Sequence, residues 1–231
     1  MKIKIKTALV SVSNKTGLEE FVSCLTKHSI NIISTGGTSK FIRDLGVDVT
    51  DVSSLTNFPE IMDGRVKTLH PNIHGGLLAK RDDENHKRDQ QDHKIEDIDL
   101  AVINLYPFEE TIDRDADREE CIENIDIGGP AMLRSAAKNH KFVTVISNVS
   151  DYKKLINELN NNEGCTSLEF RKELAARTFA LTAYYDTLVS DWFLDNSEIR
   201  DNFLSPNKLM SKLRYGENPH QEGVLYKSPI Q

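Results

Sequence analysis

A short apolar, β-branched run, then a small polar loop, then apolar residues at helical spacing: this unit constrains the chain most, because it recurs. Thr7-Ala8-Leu9-Val10-Ser11-Val12 reads as a buried strand. Ser13-Asn14-Lys15-Thr16-Gly17 breaks it, and Leu18, Phe21, Val22 and Leu25 then share one helical face. Asn31-Ile32-Ile33-Ser34 reads as the next strand and Thr35-Gly36-Gly37 as a tight turn. Thr38 to Leu45 reads as a helix ending at Gly46, and Val47 to Val52 as a third strand. This alternation predicts an α/β fold with a parallel sheet covered by helices.

Further along, Asn57 to Leu78 is loop-rich, and Asp82 to Glu96 is a dense charged stretch, an exposed loop or helix with no chemistry assigned. Leu100-Ala101-Val102-Ile103-Asn104-Leu105-Tyr106 is the clearest buried strand, ended by Pro107. Arg118 to Asn124 reads as a helix, and Pro130 suits the first turn of a helix running to Lys138. Phe142 to Ile146 is another strand, and Tyr152, Leu155, Ile156 and Leu159 mark another helix. A long helix covers roughly Leu168 to Leu194, with Leu174, Leu181, Tyr185, Leu188 and Trp192 on its buried stripe. Asn196 to Ser211 reads as a linker, and the last twenty residues are too few for a domain. No internal repeat is visible.

The 231 residues carry a net charge of -7. That balance argues against a sequence-independent nucleic-acid binder and leaves room for a local basic pocket that takes a phosphorylated small molecule. No apolar run approaches the length of a membrane span. Met1 to Lys6 alternates charge and apolarity, so it reads as the lead into an edge strand rather than as a signal peptide. Cys24, Cys121 and Cys165 are widely spaced and odd in number, which suits a reducing cytoplasm and gives neither zinc spacing nor a disulfide framework.

Two of the βα loops have phosphate-binding composition. Ser13, Asn14 and Lys15 follow the first strand, and Thr35, Gly36, Gly37 and Thr38 follow the second. In parallel sheets, anions bind at strand carboxyl ends, near helix N-termini. Neither loop is a P-loop, and Ser, Thr and Gly also cap helices and make turns. The run Met62-Asp63-Gly64-Arg65-Val66-Lys67-Thr68-Leu69-His70-Pro71 fits neither a helical nor a strand period and reads as a structured loop. A second polar block, Asp126-Ile127-Gly128-Gly129-Pro130, precedes Lys138-Asn139-His140. Lys67 and Lys138 can serve as cations and, if desolvated, exchange protons. Asp126 can orient an amine or amide, the Tyr106 hydroxyl can donate to a developing oxyanion, and Asn104 can read an amide or base edge. For each residue alone, a surface ion pair or a strand-end hydrogen bond is the plainer reading.

Taken together, Ser11 to Gly17, Ser34 to Thr38, Gly64 to Pro71, Asn104-Leu105-Tyr106-Pro107-Phe108 and Asp126 through His140 resemble the N-terminal part of the bifunctional purine biosynthesis family, AICAR transformylase/IMP cyclohydrolase. The resemblance runs in order from about Thr7 to Trp192. Asn14 stands where the family often has Asp. Leu213 to Gln221 looks like the entrance to the family's transformylase domain, so residues 1–195 are expected to form the cyclohydrolase domain and 196–231 a linker with the start of a truncated transformylase domain. The resemblance implies a parallel-sheet, three-layer, methylglyoxal-synthase-like domain with an added C-terminal helical segment. It implies closure of 5-formamidoimidazole-4-carboxamide ribotide to IMP with loss of water, without transformylase activity and without a metal or redox cofactor. Lys67, Tyr106, Asp126 and Lys138 are the implied catalytic residues. Ser13, Asn14, Lys15, Thr35, Gly36, Gly37, Thr38, Arg65, Val66, Thr68, Ile103, Asn104, Ile127 and Gly128 are the implied substrate contacts. The expected partners are the ribotide, IMP and a second copy of the chain in a homodimer, with no nucleic acid or membrane, and the expected location is the cytoplasm. Two other readings share the fold: methylglyoxal synthase, and a regulatory nucleotide-binding module that uses the phosphate loops alone.

Overall fold

A computed structural model describes residues 1–194, 202, 204–218 and 220–227. The chain opens with β1 (Ile3–Lys4), β2 (Thr7–Ser11), α1 (Leu18–Lys27), β3 (Asn31–Ser34), α2 (Gly36–Asp44), β4 (Thr50–Asp51) and α3 (Val52–Thr56). Next come α4 (Pro71–Leu78), α5 (Glu84–His93), β5 (Leu100–Ile103), α6 (Phe108–Asp113), α7 (Arg118–Glu123), α8 (Gly128–Lys138) and β6 (Thr144–Ile146). The last part holds α9 (Tyr152–Asn161), β7 (Cys165–Thr166), α10 (Leu168–Phe193), β8 (Lys208–Lys212) and β9 (Val224–Lys227).

Five strands form one parallel sheet in the order β4-β3-β2-β5-β6. Ala8, Leu9 and Val10 are fully buried, as are Leu100, Ala101 and Val102, so both faces of these strands are covered. Burial on both faces is why they read as unbroken apolar runs instead of alternating ones. From β2 the chain steps outward through β3 to β4, then returns to the other flank of β2 as β5. The order therefore switches between β2 and β5, and open parallel sheets bind ligands in the crevice at the carboxyl ends of such a pair. The segments that leave there are the loop after Ser11 and the turn from Asn104 to Pro107.

The structure shifts several expected boundaries. The third strand is only Thr50–Asp51, because Val52 already starts α3. The fourth ends at Ile103 rather than Tyr106. The loop-rich centre contains α4, whose first residue is Pro71, where a missing N–H costs nothing. The charged stretch is the helix α5, with no buried residue and with Asp83 capping its first amides. Met1 to Lys6 does not join the main sheet; β1 pairs antiparallel with β7 in a separate ribbon. The long helix ends at Phe193, with Leu174, Tyr185 and Leu188 buried and Leu181 and Trp192 half-buried. Residues 195–201 and 203, which include the start of the expected linker, lie outside the described residues, as does Pro219. The tail folds as an antiparallel β8–β9 hairpin whose strand residues are all exposed.

Helix α8 packs on β5 and β6 and against both α4 and α10. One fully buried cation fastens this side. The Arg171 guanidinium donates to the carbonyls of His140 at 2.8 Å, Lys141 at 2.9 Å and Met1 at 3.3 Å, and also to Thr166. It ties the N-terminus, β7 and the approach to β6 to α10.

Candidate active site

The loops at the switch point surround a cavity of about 710 Å³. The β2 and β3 ends are braced first. The Thr38 hydroxyl donates to the Val12 carbonyl at 2.9 Å and accepts from the Val12 N–H at 3.2 Å. Ser11 Oγ and Thr35 Oγ1 lie 2.9 Å apart, and the Ser13 hydroxyl donates to the Leu105 carbonyl at 3.1 Å. Asn104 Oδ1 accepts from the Asn14 N–H at 3.0 Å, so the turn after β5 holds the loop after β2 in place. Helix α2 begins at Gly36, two residues earlier than expected, with Thr35 as its N-cap. The amides of Gly36 and Gly37 thus open a helix at the cavity, the position in which backbone N–H groups meet an anion. The Lys15 ammonium turns back to the carbonyls of Val12 and Ser13, and burial pushes its pKa down.

The central motif makes a tight turn. Ile61 and Val66 exchange backbone hydrogen bonds at 3.2 and 3.3 Å, and Met62, Asp63 and Gly64 between them all have positive φ. Two left-handed non-glycine residues in succession are uncommon and strained. The turn sends Lys67 inward. Its Nζ stands 4.0 Å from the position a Cβ on Gly36 would take, and it pairs with Glu60 at 2.9 Å. Arg65 pairs with Glu123 at the end of α7, across from the turn.

Thr68 joins the central motif to the Asp126 block: a Cβ on Gly128 would fall 2.7 Å from Thr68 Oγ1, so a side chain there would displace the Thr68 hydroxyl. Asp126 lies just before α8, and its Oδ1 accepts from the Gly129 N–H at 2.8 Å. Burial raises its carboxyl above the ordinary carboxylate range, against the opposing pull of the Gly129 and Tyr106 N–H groups and the Lys67 charge. Tyr106 projects from the β5 turn, 46% exposed, into the same cavity. Ile122, Ile125, Ile127 and Met132 give one wall an apolar surface suited to a flat heterocycle.

Of the residues expected at the site, Lys67, Tyr106, Asp126, Ser13, Lys15, Thr35, Gly36, Gly37, Thr38, Arg65, Thr68, Ile103, Asn104, Ile127 and Gly128 line this one cavity. Three do not. Asn14 stands behind the lining, its side chain accepting from the Thr16 N–H at 2.8 Å. Val66 is spent on its pairing with Ile61. Lys138 is the third. It is exposed at the far end of α8, about 15 Å along the axis from Gly128 at 1.5 Å per residue. There it complements the helix dipole rather than the cavity. Sequence reasoning missed Glu60 and Glu123, which neutralise the two cations of the central motif, and Tyr185, whose hydroxyl accepts from the Asp126 N–H at 2.7 Å. All three are distant in sequence from what they contact or lie outside the motifs, so only the tertiary fold reveals them.

Cations and helix-opening amides lie at one end, an elevated carboxyl beside a lysine and a phenol in the middle, and an apolar wall along one side of this cleft, on a methylglyoxal-synthase-like α/β domain. Comparisons agree. The model of the MGS-like domain matches residues 17–131, and that of the AICARFT/IMPCHase bienzyme matches residues 136–231. The bifunctional purine biosynthesis protein PurH of Bradyrhizobium diazoefficiens is 54% identical over 98% of this chain, and that of Persephonella marina 51% identical over 98%. The chain spans less than half the length of these relatives, 43% and 44% respectively. A solved structure described as the crystal structure of ForH is 33% identical, with a TM-score of 0.71 over 81% of this chain and 96% of its own. Over nearly all of its own length the chain is similar to these bifunctional purine biosynthesis proteins. Among the described residues, no helix is long and apolar enough to cross a membrane.

Proposed function

We propose that this cleft performs the IMP cyclohydrolase step, closing 5-formamidoimidazole-4-carboxamide ribotide to IMP and water. The observation that carries the reading is the juxtaposition of a buried, elevated Asp126 carboxyl with the Lys67 charge, beside Tyr106 and next to the amides that open α2. The phosphate sits at Lys15 and the Gly36 and Gly37 amides, and the imidazole lies against the Ile125, Ile127 and Met132 wall. The carboxamide nitrogen then attacks the formyl carbon. A C–N bond forms and negative charge moves to the formyl oxygen, where the Lys67 ammonium and the Tyr106 hydroxyl donate. An amide nitrogen is almost non-basic, so it must lose its proton as the bond forms. Asp126 accepts that proton, a task for which a carboxylate with an elevated pKa is better matched to neutral pH. The former formyl oxygen takes up that proton and a second one released by the formamide nitrogen, the C–O bond breaks to give water, and the electron pair left on that nitrogen forms the ring C=N bond of IMP.

Lys138 has no part in this scheme. Ultraviolet monitoring of the purified chain with the formamido ribotide tests it. Absorbance change with IMP formation is the expected result. Tight IMP binding without turnover would identify a nucleotide-binding module and overturn the reading.

A further inference from the structure

Tyr185 belongs to none of the motifs that mark the cleft, yet it is bonded to the backbone of the cleft's buried acid. It sits on α10, 6% exposed. Its hydroxyl accepts from the Asp126 N–H at 2.7 Å and points to the Asn124 carbonyl at 3.4 Å. Its ring packs beside Phe108, with centroids 6.1 Å apart, and Phe108 in turn meets Trp192 edge-on at 5.8 Å. Phe108 follows Tyr106 by two residues, and its N–H is bonded to the Tyr106 carbonyl at 2.8 Å. One phenol thus holds two cleft segments: the Asp126 turn through its oxygen, and the Tyr106 turn through its ring. Burial pushes the phenol up to about 12, so it remains a neutral donor and acceptor at any working pH. The charged groups that bear on the pair are Lys67 on Asp126, and Asp186 and Asp126 itself on the phenol.

We propose that Tyr185 is a positioning residue for the cyclohydrolase reaction: by holding the Asp126 backbone it fixes where the Asp126 carboxyl stands relative to Tyr106. The inference rests on the role given to Asp126 above. Misplacing a reacting group by a fraction of an ångström lowers turnover without loosening the ground-state grip on phosphate and base.

Tyr185→Phe keeps the ring and removes the hydroxyl. Turnover should fall about tenfold while KM stays within about twofold. The Asp126 carboxyl, followed by 13C NMR and assigned with Asp126→Asn, should titrate closer to the ordinary carboxylate value. In the unaltered chain, the Asp126 amide should exchange slowly with solvent although it lies in a turn. Leu188→Ala, which thins the same apolar cluster without touching the hydroxyl, should lower the melting temperature and leave the Asp126 titration where it is. A Tyr185→Phe chain that melts earlier but keeps its turnover and its Asp126 titration would overturn the proposal, as would rapid exchange of the Asp126 amide. The titration and the exchange need no turnover. A chain that closed no ribotide would therefore defeat the proposed reaction and leave the Tyr185 result to stand on its own.

Discussion

Burial raises the Asp126 carboxyl above its usual range, and the Gly129 and Tyr106 N–H groups and the Lys67 charge offset this only in part. The direction has a consequence for stability. An acid whose folded pKa is raised holds its proton in the native state at pH values where the unfolded chain has released it. Its contribution is most favourable below the unfolded value near 3.8 and is lost as pH rises through its elevated folded pKa. Above that folded pKa the ionised carboxylate is therefore a strain on the fold. Asp126→Asn keeps an oxygen for the Gly129 N–H and removes the charge. It is expected to raise the melting temperature at pH 7.5 by about 2–4 °C, the displacement that about 1 kcal/mol brings in a domain of this size. The gain should vanish in acid below the unfolded pKa, and turnover should fall by about 10²-fold or more. Thermal melts across pH check the sign. A variant that melts lower at pH 7.5 would mean that the carboxylate stabilises the native state.

At the level of elements, the end of the cavity lined by Lys15, Gly36 and Gly37 is legible in the sequence because it is local: these residues lie within two βα turns, and composition marks such turns. The apolar runs of β2 and β5 were equally plain, since burial on both faces leaves an uninterrupted apolar signature. Two things escaped. The start of α2 at Gly36 depends on Thr35 adopting the N-cap conformation, which a Gly-Gly pair disguises as a turn. Lys138 shares a sequence motif with Asp126, but the motif is a helix, and a helix carries its two ends apart. Met132, Leu133, Ala136 and Ala137 form the buried face of α8, so the motif records packing as much as chemistry. Lys138→Met is accordingly expected to leave turnover within about threefold of the unaltered chain, at the cost of a few tenths of a kcal/mol from the lost helix-end charge. A hundredfold loss in that variant would place Lys138 in the reaction after all.

Over the whole molecule, the switch between β2 and β5 decides where the site falls, and long-range polar ties hold the surrounding helices to it. Arg171 is the deepest of these, fully buried, with burial pulling its pKa down. Arg171→Met should destabilise the chain by about 3–5 kcal/mol in urea unfolding, because the carbonyls of His140, Lys141 and Thr166 would remain buried without their donor. A loss under 1 kcal/mol would show those carbonyls to be hydrated. The fold brings Lys15, the Gly36 and Gly37 amides, Lys67, Tyr106 and Asp126 to one cavity from five separate stretches of sequence, the set to which the proposed reaction assigns the phosphate, formyl and carboxamide groups. The direct test of that assembly is the rate of ring closure of the formamido ribotide by this chain and by Lys67→Met, read beside their affinities for IMP. The expected result is IMP formation by the unaltered chain, about 10²-fold slower in Lys67→Met, with IMP affinity changed far less. Equal rates in the two chains, or no closure by either while IMP still binds, would contradict the account.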